Sequence, residues 1–113
     1  MSESFSQAVL IGSLRQRVHV ETLPSGTPCG TFELILRERT SAGRWYSTVV
    51  ACQLWGKTVE AARELQPGQT CLFHGKLAKR KRGEDWHLVV SGFTLEALTI
   101  PTAVDAPAYA HRN

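Results

Sequence analysis

Alternating apolar and polar residues predict β-strands along most of this chain. The predicted strands, in chain order, are Ala8 to Leu14, Val18 to Thr22, Thr31 to Arg39, Trp45 to Trp55, a strand that starts with Cys71 to Gly75 and continues into a basic segment, and Trp86 to Leu98. Turn-forming residues separate them, most densely between Leu23 and Pro28 and at Gly83 to Asp85. Thr58 to Leu65 differs, because its apolar residues recur at helical spacing. The pattern predicts an all-β domain with one short helix.

Two consecutive strands have faces that can be assigned from their alternation. The inward positions are Phe32, Leu34 and Leu36 in the first of these strands and Tyr46, Thr48, Val50, Cys52 and Leu54 in the second. Arg37 and Arg39 then point outward together. In the second strand, Trp45 and Trp55 stand at the two ends of the outward face, with smaller residues between them. The outward faces are therefore predicted to form one surface with a Trp at each end.

The order strand, helix, strand from Trp45 to Gly75 is typical of the five-stranded OB barrel, in which one helix lies between strands 3 and 4. Such barrels mostly bind single strands or oligosaccharides. We expect residues 1–100 to form this barrel, and Gly92 to mark a bulge in its last strand. Residues 101–113 are rich in Pro, Ala and Thr and are predicted to form a flexible C-terminal tail.

Composition agrees with a single small domain. The chain has 113 residues, of which 42% are hydrophobic and 20% charged, which suits one core but not two. No apolar run reaches the roughly 18 residues of a membrane span, and residues 1–6 lack the features of a secretory signal, so we expect a cytoplasmic protein without a membrane partner. Cys29, Cys52 and Cys71 are odd in number and far apart, which predicts reduced, buried thiols.

Basic residues are concentrated in two places, although the net charge of +3 is modest. The larger group is Lys76, Lys79, Arg80, Lys81 and Arg82, and the smaller group is Arg37, Arg39 and Arg44. Such clusters are typical of a phosphate-binding surface, but a run of charge also occurs at a solvated hairpin tip. Charge alone leaves both interpretations open.

Four segments together resemble the bacterial single-stranded DNA-binding protein family, which includes the primosomal replication protein N. They are Val9 to Leu14, Pro24 to Pro28 ahead of Phe32-x-Leu34, Leu54-Trp55-Gly56-Lys57, and Pro67-Gly68 ahead of Gly75-Lys76-Leu77. Each segment alone is a weak signal, but their order and spacing match the family from about Val9 to Leu98. The resemblance implies an OB fold, a homodimer or homotetramer, and single-stranded DNA bound across the sheet.

Tryptophan and basic side chains are the candidate binding residues, because single strands are held by aromatic rings that stack on bases and by cations that follow the backbone. The candidate rings are Trp45, Trp55 and Trp86, and the candidate phosphate contacts are Arg37, Arg39, Arg44, Lys79, Arg80, Lys81 and Arg82. Trp55 falls where the family has a stacking aromatic. Each Trp could instead be half-buried packing or part of a subunit interface.

The chain departs from the family pattern in two respects. Three positions that usually hold an aromatic carry Thr40, Val49 and Arg82. The end of the chain also has no acidic residue after Asp105, unlike members that recruit many partners through an acidic tail. The sequence is therefore expected to belong to a tail-less member, to a primosome-type relative, or to a specialised recombination or plasmid-borne form.

No catalytic or metal site can be built from the sequence. The acidic residues are scattered, the histidines are not spaced with a cysteine as zinc ligands are, and no Gly-rich phosphate loop is present. We expect a protein that is not an enzyme and that needs no cofactor. The favoured function is non-catalytic binding of single-stranded DNA in replication, recombination or repair. The alternative is a primosome-type adaptor for replication-restart or recombination proteins, with nucleic-acid binding secondary. RNA is a secondary candidate ligand, because stacking and phosphate contacts are common to both nucleic acids unless a protein reads the 2′-OH.

The first strand predicts self-association. Val9 and Ile11 lie on the face opposite Leu10, so one of these sets has no place in the core of a single barrel. Pairing of this strand across a two-fold axis would cover the exposed set. We therefore expect a homodimer or homotetramer.

Overall fold

A computed structural model describes residues 6–98, with the exception of the Arg82 side chain. Its elements are β1 (Ala8–Leu14), β2 (His19–Thr22), β3 (Pro28–Arg39), β4 (Trp45–Trp55), α1 (Thr58–Ala62), β5 (Thr70–Arg82) and β6 (Asp85–Ala97). The predicted tail at residues 101–113 lies outside the described residues. The strands that were predicted from alternation are all present.

The strands close into a barrel with the order β1-β5-β6-β4-β3-β2, because β1 also pairs with β3. Ser13 lies opposite Ile35 and, further along β3, His19 lies opposite Thr31. Since β1 and β2 follow the same neighbour, together they form the first strand of a five-stranded barrel. The helix α1 then lies between the third and fourth barrel strands, which confirms the predicted OB architecture.

The core fills the barrel with side chains from all its strands. Phe73, Leu14, Leu34, Leu54 and Val59 are the largest fully buried residues. A further residue, Phe32, packs edge-to-face against the Phe73 ring at a centroid distance of 5.1 Å. Val59 and Ala62 come from α1, so this helix closes one end of the core, as its apolar spacing predicted.

The helix is shorter than predicted. It ends at Ala62 and not at Leu65, because the next turn uses i→i+3 hydrogen bonds, with Glu64 N–H donating to Ala61 O and Leu65 N–H donating to Ala62 O. Leu65 still packs against the core. Helical spacing alone could not distinguish this tightened turn from a further α-helical turn.

Two long hairpins project from the barrel. The β3–β4 ladder is paired as far as Arg39 opposite Trp45, and the β5–β6 ladder as far as Arg82 opposite Asp85. The prediction that Tyr46 enters the core is wrong, since Tyr46 is 45% exposed and its hydroxyl donates to Glu38 Oε2. Alternation assigned the correct side of β4, but the hairpin extends beyond the core at that point.

The predicted bulge is present in β6. His74 lies opposite Thr94, whereas the next residue, Gly75, lies opposite Gly92, so Phe93 has no partner in β5. A Cβ on Gly92 would clash with the His74 carbonyl oxygen, so the close approach of the two strands requires glycine. The extra residue, Phe93, is pushed to the outside, where its side chain is 69% exposed.

The three cysteines are free and buried, as predicted. Burial raises the pKa of Cys52 to about 12 and also raises the pKa of Cys71. These thiols are therefore protonated and serve as small apolar groups. Within residues 6–98, no helix is long and apolar enough to cross a bilayer.

Candidate nucleic-acid interface

The outward faces of β3 and β4 form one continuous surface. Trp55 lies opposite Cys29 at one end of the β3–β4 ladder, and Trp45 lies opposite Arg39 at the other end. Ten residue steps at about 3.3 Å separate the two tryptophans by about 33 Å along the strand. We call this surface the β3–β4 face. Small or medium side chains occupy it between the two rings: Ser47, Val49, Ala51 and Gln53.

Trp45 and two arginines form a cluster at the hairpin end of the β3–β4 face. The guanidinium carbons of Arg37 and Arg39 lie 4.9 Å and 5.2 Å from the Trp45 ring centroid. The ring is 56% exposed. Arg44 is exposed in the adjoining turn, where its backbone N–H donates to Thr40 Oγ1. This end of the face offers an aromatic surface and positive charge together.

Trp55 is held more firmly at the other end. Its ring is half-buried, and the indole Nε1 donates to Ser91 Oγ of β6 at 2.9 Å. This hydrogen bond spans two neighbouring strands and fixes the orientation of the ring. Trp55 therefore presents a rigid, partly open aromatic surface.

A cleft of about 640 Å³ lies over the middle of the β3–β4 face. Val49 and Ala51 line it from β4, while Arg80 and His87 reach it from the β5–β6 hairpin. Arg80 is half-buried there. The cleft is thus bounded on one side by the barrel and on the other by the projecting hairpin.

The basic residues of the β5–β6 hairpin are divided between its two faces. Arg80 lies opposite His87 and Lys81 lies opposite Trp86, so these neighbouring pairs point to opposite sides. The ammonium groups of Lys79 and Lys81 lie 5.7 Å and 5.8 Å from the Trp86 ring centroid. We call Trp86, Lys79 and Lys81 the hairpin patch. The structure therefore brings Arg80 to the central cleft but does not bring Trp86 together with Trp45 and Trp55.

Five charged or histidine side chains of the cleft were not singled out from the sequence. They are Arg17, His19, Glu21, Glu33 and His87. Burial raises the pKa of the Cys29 thiol, the Glu21 carboxylate raises it further, and Arg80 lowers it, so both charges act on the same end of the cleft. His19 and Glu21 could have been found from the sequence, because apolar and polar residues alternate from Val18 to Thr22 and the alternation predicts that both side chains point outward.

Glu33 also belongs to the cleft, and it is tied to a cation. Arg15 donates to Glu33 Oε1 at 2.8 Å, and the Arg15 backbone N–H donates to the Glu33 carbonyl at 3.0 Å. Arg17 donates to Gln66 Oε1 at 3.1 Å. The cleft therefore mixes both signs of charge, which a count of basic residues does not reveal.

Chemistry that would make or break bonds has no support among the described residues. In residues 6–98, no three His, Cys, Asp or Glu side chains are grouped as a metal site would require. The buried thiols are protonated, so they are poor nucleophiles. The arrangement is suited to binding by stacking and charge.

The closed barrel and its open aromatic face define an OB-fold binding protein. The model of the Single-strand binding protein family matches residues 5–88, and the chain belongs to this family. The family is non-catalytic and binds DNA, in agreement with the expectation that the chain is not an enzyme. A search of the curated proteins found no match.

The chain shares its fold with many solved structures, among them the following two. One is the Plasmodium falciparum SSB in complex with ssDNA, with a TM-score of 0.71 and 18% identity over 88% of this chain and 99% of that one. The other is a deletion mutant of the single-stranded DNA binding protein from Thermus aquaticus, with a TM-score of 0.71 and 23% identity. That match covers 84% of this chain and 51% of the Thermus aquaticus chain.

Proposed function

We propose that this protein binds single-stranded DNA along the β3–β4 face, without catalysing a reaction. The observation that carries the proposal is the presence of Trp45 and Trp55 at the two ends of one open face. Family membership supports it, since the matched family is one of single-strand binding proteins. Bases stack on the two rings, and each stacked base contributes about 1–3 kcal/mol.

Phosphates are bound by cations at both borders of this face. Arg37 and Arg39 lie over Trp45 and can contact a phosphate next to a base stacked on that ring. Arg44 extends this group in the turn, and Arg80 supplies a cation from the hairpin side of the cleft. If about four phosphates are neutralised, the logarithm of the affinity falls with the logarithm of salt concentration at a slope of about −3.

The hairpin patch is assigned to a later part of the same strand. Trp86 is 60% exposed, with Lys79 and Lys81 beside its ring, so it has the same combination of aromatic and charge as Trp45. A single DNA strand that leaves the cleft over the middle of the β3–β4 face and then crosses the β5–β6 hairpin would contact this patch. Arg82, at the end of the β5 ladder, completes the assigned basic group.

The cellular role assigned to this binding is the protection of single strands in cytoplasmic DNA replication, recombination or repair. Family membership supports it. RNA remains a second ligand for the same site, because stacking and phosphate contacts do not depend on the sugar.

Protein adaptor activity is the second candidate function. It is favoured by one observation: Leu88, two residues from Trp86, is 69% exposed, and Leu77, further along the β5–β6 ladder, is 55% exposed. Exposed apolar groups of this kind suit a partner protein of the replication-restart or recombination machinery. A pull-down in which a partner survives nuclease treatment, together with weak DNA binding, would favour this function.

Self-association is proposed through β1. Val9 and Ile11 are 59% and 56% exposed, whereas Leu10 packs against the core. The edge of β1 that faces away from β5 pairs with β3 only at Ser13 and Leu14, so its remaining backbone groups are open to another strand. Light scattering at micromolar concentration should give a dimer or tetramer, and a strict monomer would contradict this proposal.

A fluorescence titration with oligo-dT at two salt concentrations tests the proposed DNA binding. Stacking on tryptophan should quench the emission, and salt should weaken the affinity with the slope given above. Absence of quenching together with a slope near zero would overturn the proposal.

A further inference from the structure

We infer that Phe93 is a further base-stacking position, at which a bound single strand continues beyond Trp55. This inference rests on the proposed function. Phe93 lies at the opposite end of the binding face from Trp45, and the alternation of the strands did not identify its ring as a binding residue.

Phe93 is next to the Trp55 site. Ser91, which accepts the Trp55 Nε1 hydrogen bond, stands two residues before Phe93 in β6. A Cβ added to Gly56 would lie 3.5 Å from Phe93 Cδ1, so the Phe93 ring lies against the residue that follows Trp55. The Phe93 ring therefore lies immediately beyond Trp55, at the same end of β4.

The position of Phe93 is fixed although its ring is exposed. Phe93 is the bulge residue and has no partner in β5. Its backbone is held instead by Thr58, whose Oγ1 donates to the Phe93 carbonyl at 2.9 Å. The side chain is 69% exposed, a high value for a phenylalanine. A well-anchored backbone that carries an open ring suits stacking, because little conformational freedom is lost on binding.

Charge around Phe93 favours a nucleic acid. A cleft of about 420 Å³ adjoins the ring, and among residues 6–98 its lining includes Lys76 and His74 but no carboxylate. Ser6, Gln7 and Thr94 supply polar groups to the same cleft. The central cleft, by contrast, contains Glu21 and Glu33. Lys76 is thus placed to contact the phosphate next to a base stacked on Phe93.

The rival occupant of this site is a second copy of the chain. Val9 lies opposite His74, so the exposed face of β1 borders the same cleft. The experiment must therefore separate loss of stacking from loss of a subunit contact. Phe93→Leu does so, because leucine keeps an apolar contact but offers no ring.

The test measures the affinity of the wild type, Phe93→Leu and Phe93→Trp for oligo-dT of about 4 to 20 nucleotides, a range that spans the site sizes of single OB barrels. Phe93→Leu should weaken binding of the longer oligonucleotides at least fivefold and leave the shortest bound ones unchanged. Phe93→Trp should retain the affinity and add fluorescence quenching that appears only with the longer oligonucleotides. Thr22→Ala, a truncation of an exposed, uncharged residue of β2 outside both clefts, should bind all lengths as the wild type does.

Three results would overturn the inference. They are equal affinities of Phe93→Leu and wild type at every length, an equal loss at every length, and a changed molar mass of Phe93→Leu in light scattering. Failure of the wild type to bind any length would instead refute the proposed function itself, so the two failures are distinguishable.

Discussion

The indole Nε1 of Trp55 donates a hydrogen bond to Ser91 Oγ, and this bond joins β4 to β6 at one end of the β3–β4 face. The same two strands are paired in parallel from Cys52 opposite Val90 to Leu54 opposite Gly92. Trp55 is thus held by a contact that also reinforces the closure of the barrel. Stability and ring orientation are coupled at this position.

Removing this hydrogen bond should affect both properties. Ser91→Ala should lower the free energy of unfolding by about 0.5–1.5 kcal/mol, as expected for a net hydrogen bond. It should also weaken oligo-dT binding a few-fold, because the ring is no longer fixed. Trp55→Phe keeps a ring but loses the donor, so the losses of stability from the two variants should not add in the double variant. Strict additivity in denaturant unfolding would show that this bond contributes nothing.

The two tryptophans of the β3–β4 face should matter more than Trp86 for short oligonucleotides. Trp45→Ala and Trp55→Ala should each weaken binding at least fivefold, since each removes a stacking surface. Trp86→Ala should affect only oligonucleotides that are long enough to cross the hairpin. Titrations with oligonucleotides of increasing length measure this difference. An equal effect of all three variants on the shortest oligonucleotides would contradict the assignment of Trp86 to a separate part of the binding surface.

Arg80 and Lys79 form a matched pair of neighbouring cations on opposite faces of one hairpin. Arg80→Ala should reduce the magnitude of the salt slope by about 0.7 for short oligonucleotides, which corresponds to one phosphate contact. Lys79→Ala removes the same charge from the hairpin patch and should leave that slope unchanged. Identical slopes for the two variants would mean that the total charge of the hairpin determines binding, and not the face on which each cation lies.

Glu21 opposes phosphate in the central cleft. Glu21→Gln should raise the affinity for oligo-dT about two- to fivefold at low salt, because a nearby negative charge is removed, and the gain should disappear at high salt. Glu96→Gln makes the same change in net charge on β6, outside both clefts. If Glu96→Gln raised the affinity equally, the effect would come from net charge alone.

Cys52 should make stability dependent on pH in the alkaline range. Its pKa is raised from 9.0 to about 12 by burial, so above pH 9 the unfolded chain loses this proton while the folded chain retains it. The free energy of unfolding should therefore fall as the pH rises from 9 toward 12, relative to its value at neutral pH. Cys52→Ala should show a smaller fall in denaturant titrations, and an unchanged fall would contradict the assignment to this thiol.

The strands and their faces could be predicted because alternation is a local property that the barrel preserves. Tyr46 was misassigned because alternation gives the side of a strand but not the point at which the core ends. The hairpin cations were treated as one group because they are adjacent in sequence, although adjacent strand residues point in opposite directions. Phe93 was missed because its exposure follows from the register shift beside Gly92, which depends on the partner strand.

Closure of the barrel also has a consequence for the order in which the protein folds. The β3–β4 and β5–β6 ladders are local hairpins, whereas β1 pairs with β5 through residues as distant in the chain as Ala8 and Gly75. Local contacts form with a smaller loss of chain entropy than distant ones do. During synthesis, the hairpin that carries Trp45 can form as soon as β4 has emerged. The Trp55 end is completed only after β6, the last of the strands in residues 6–98 to be made, has joined β4.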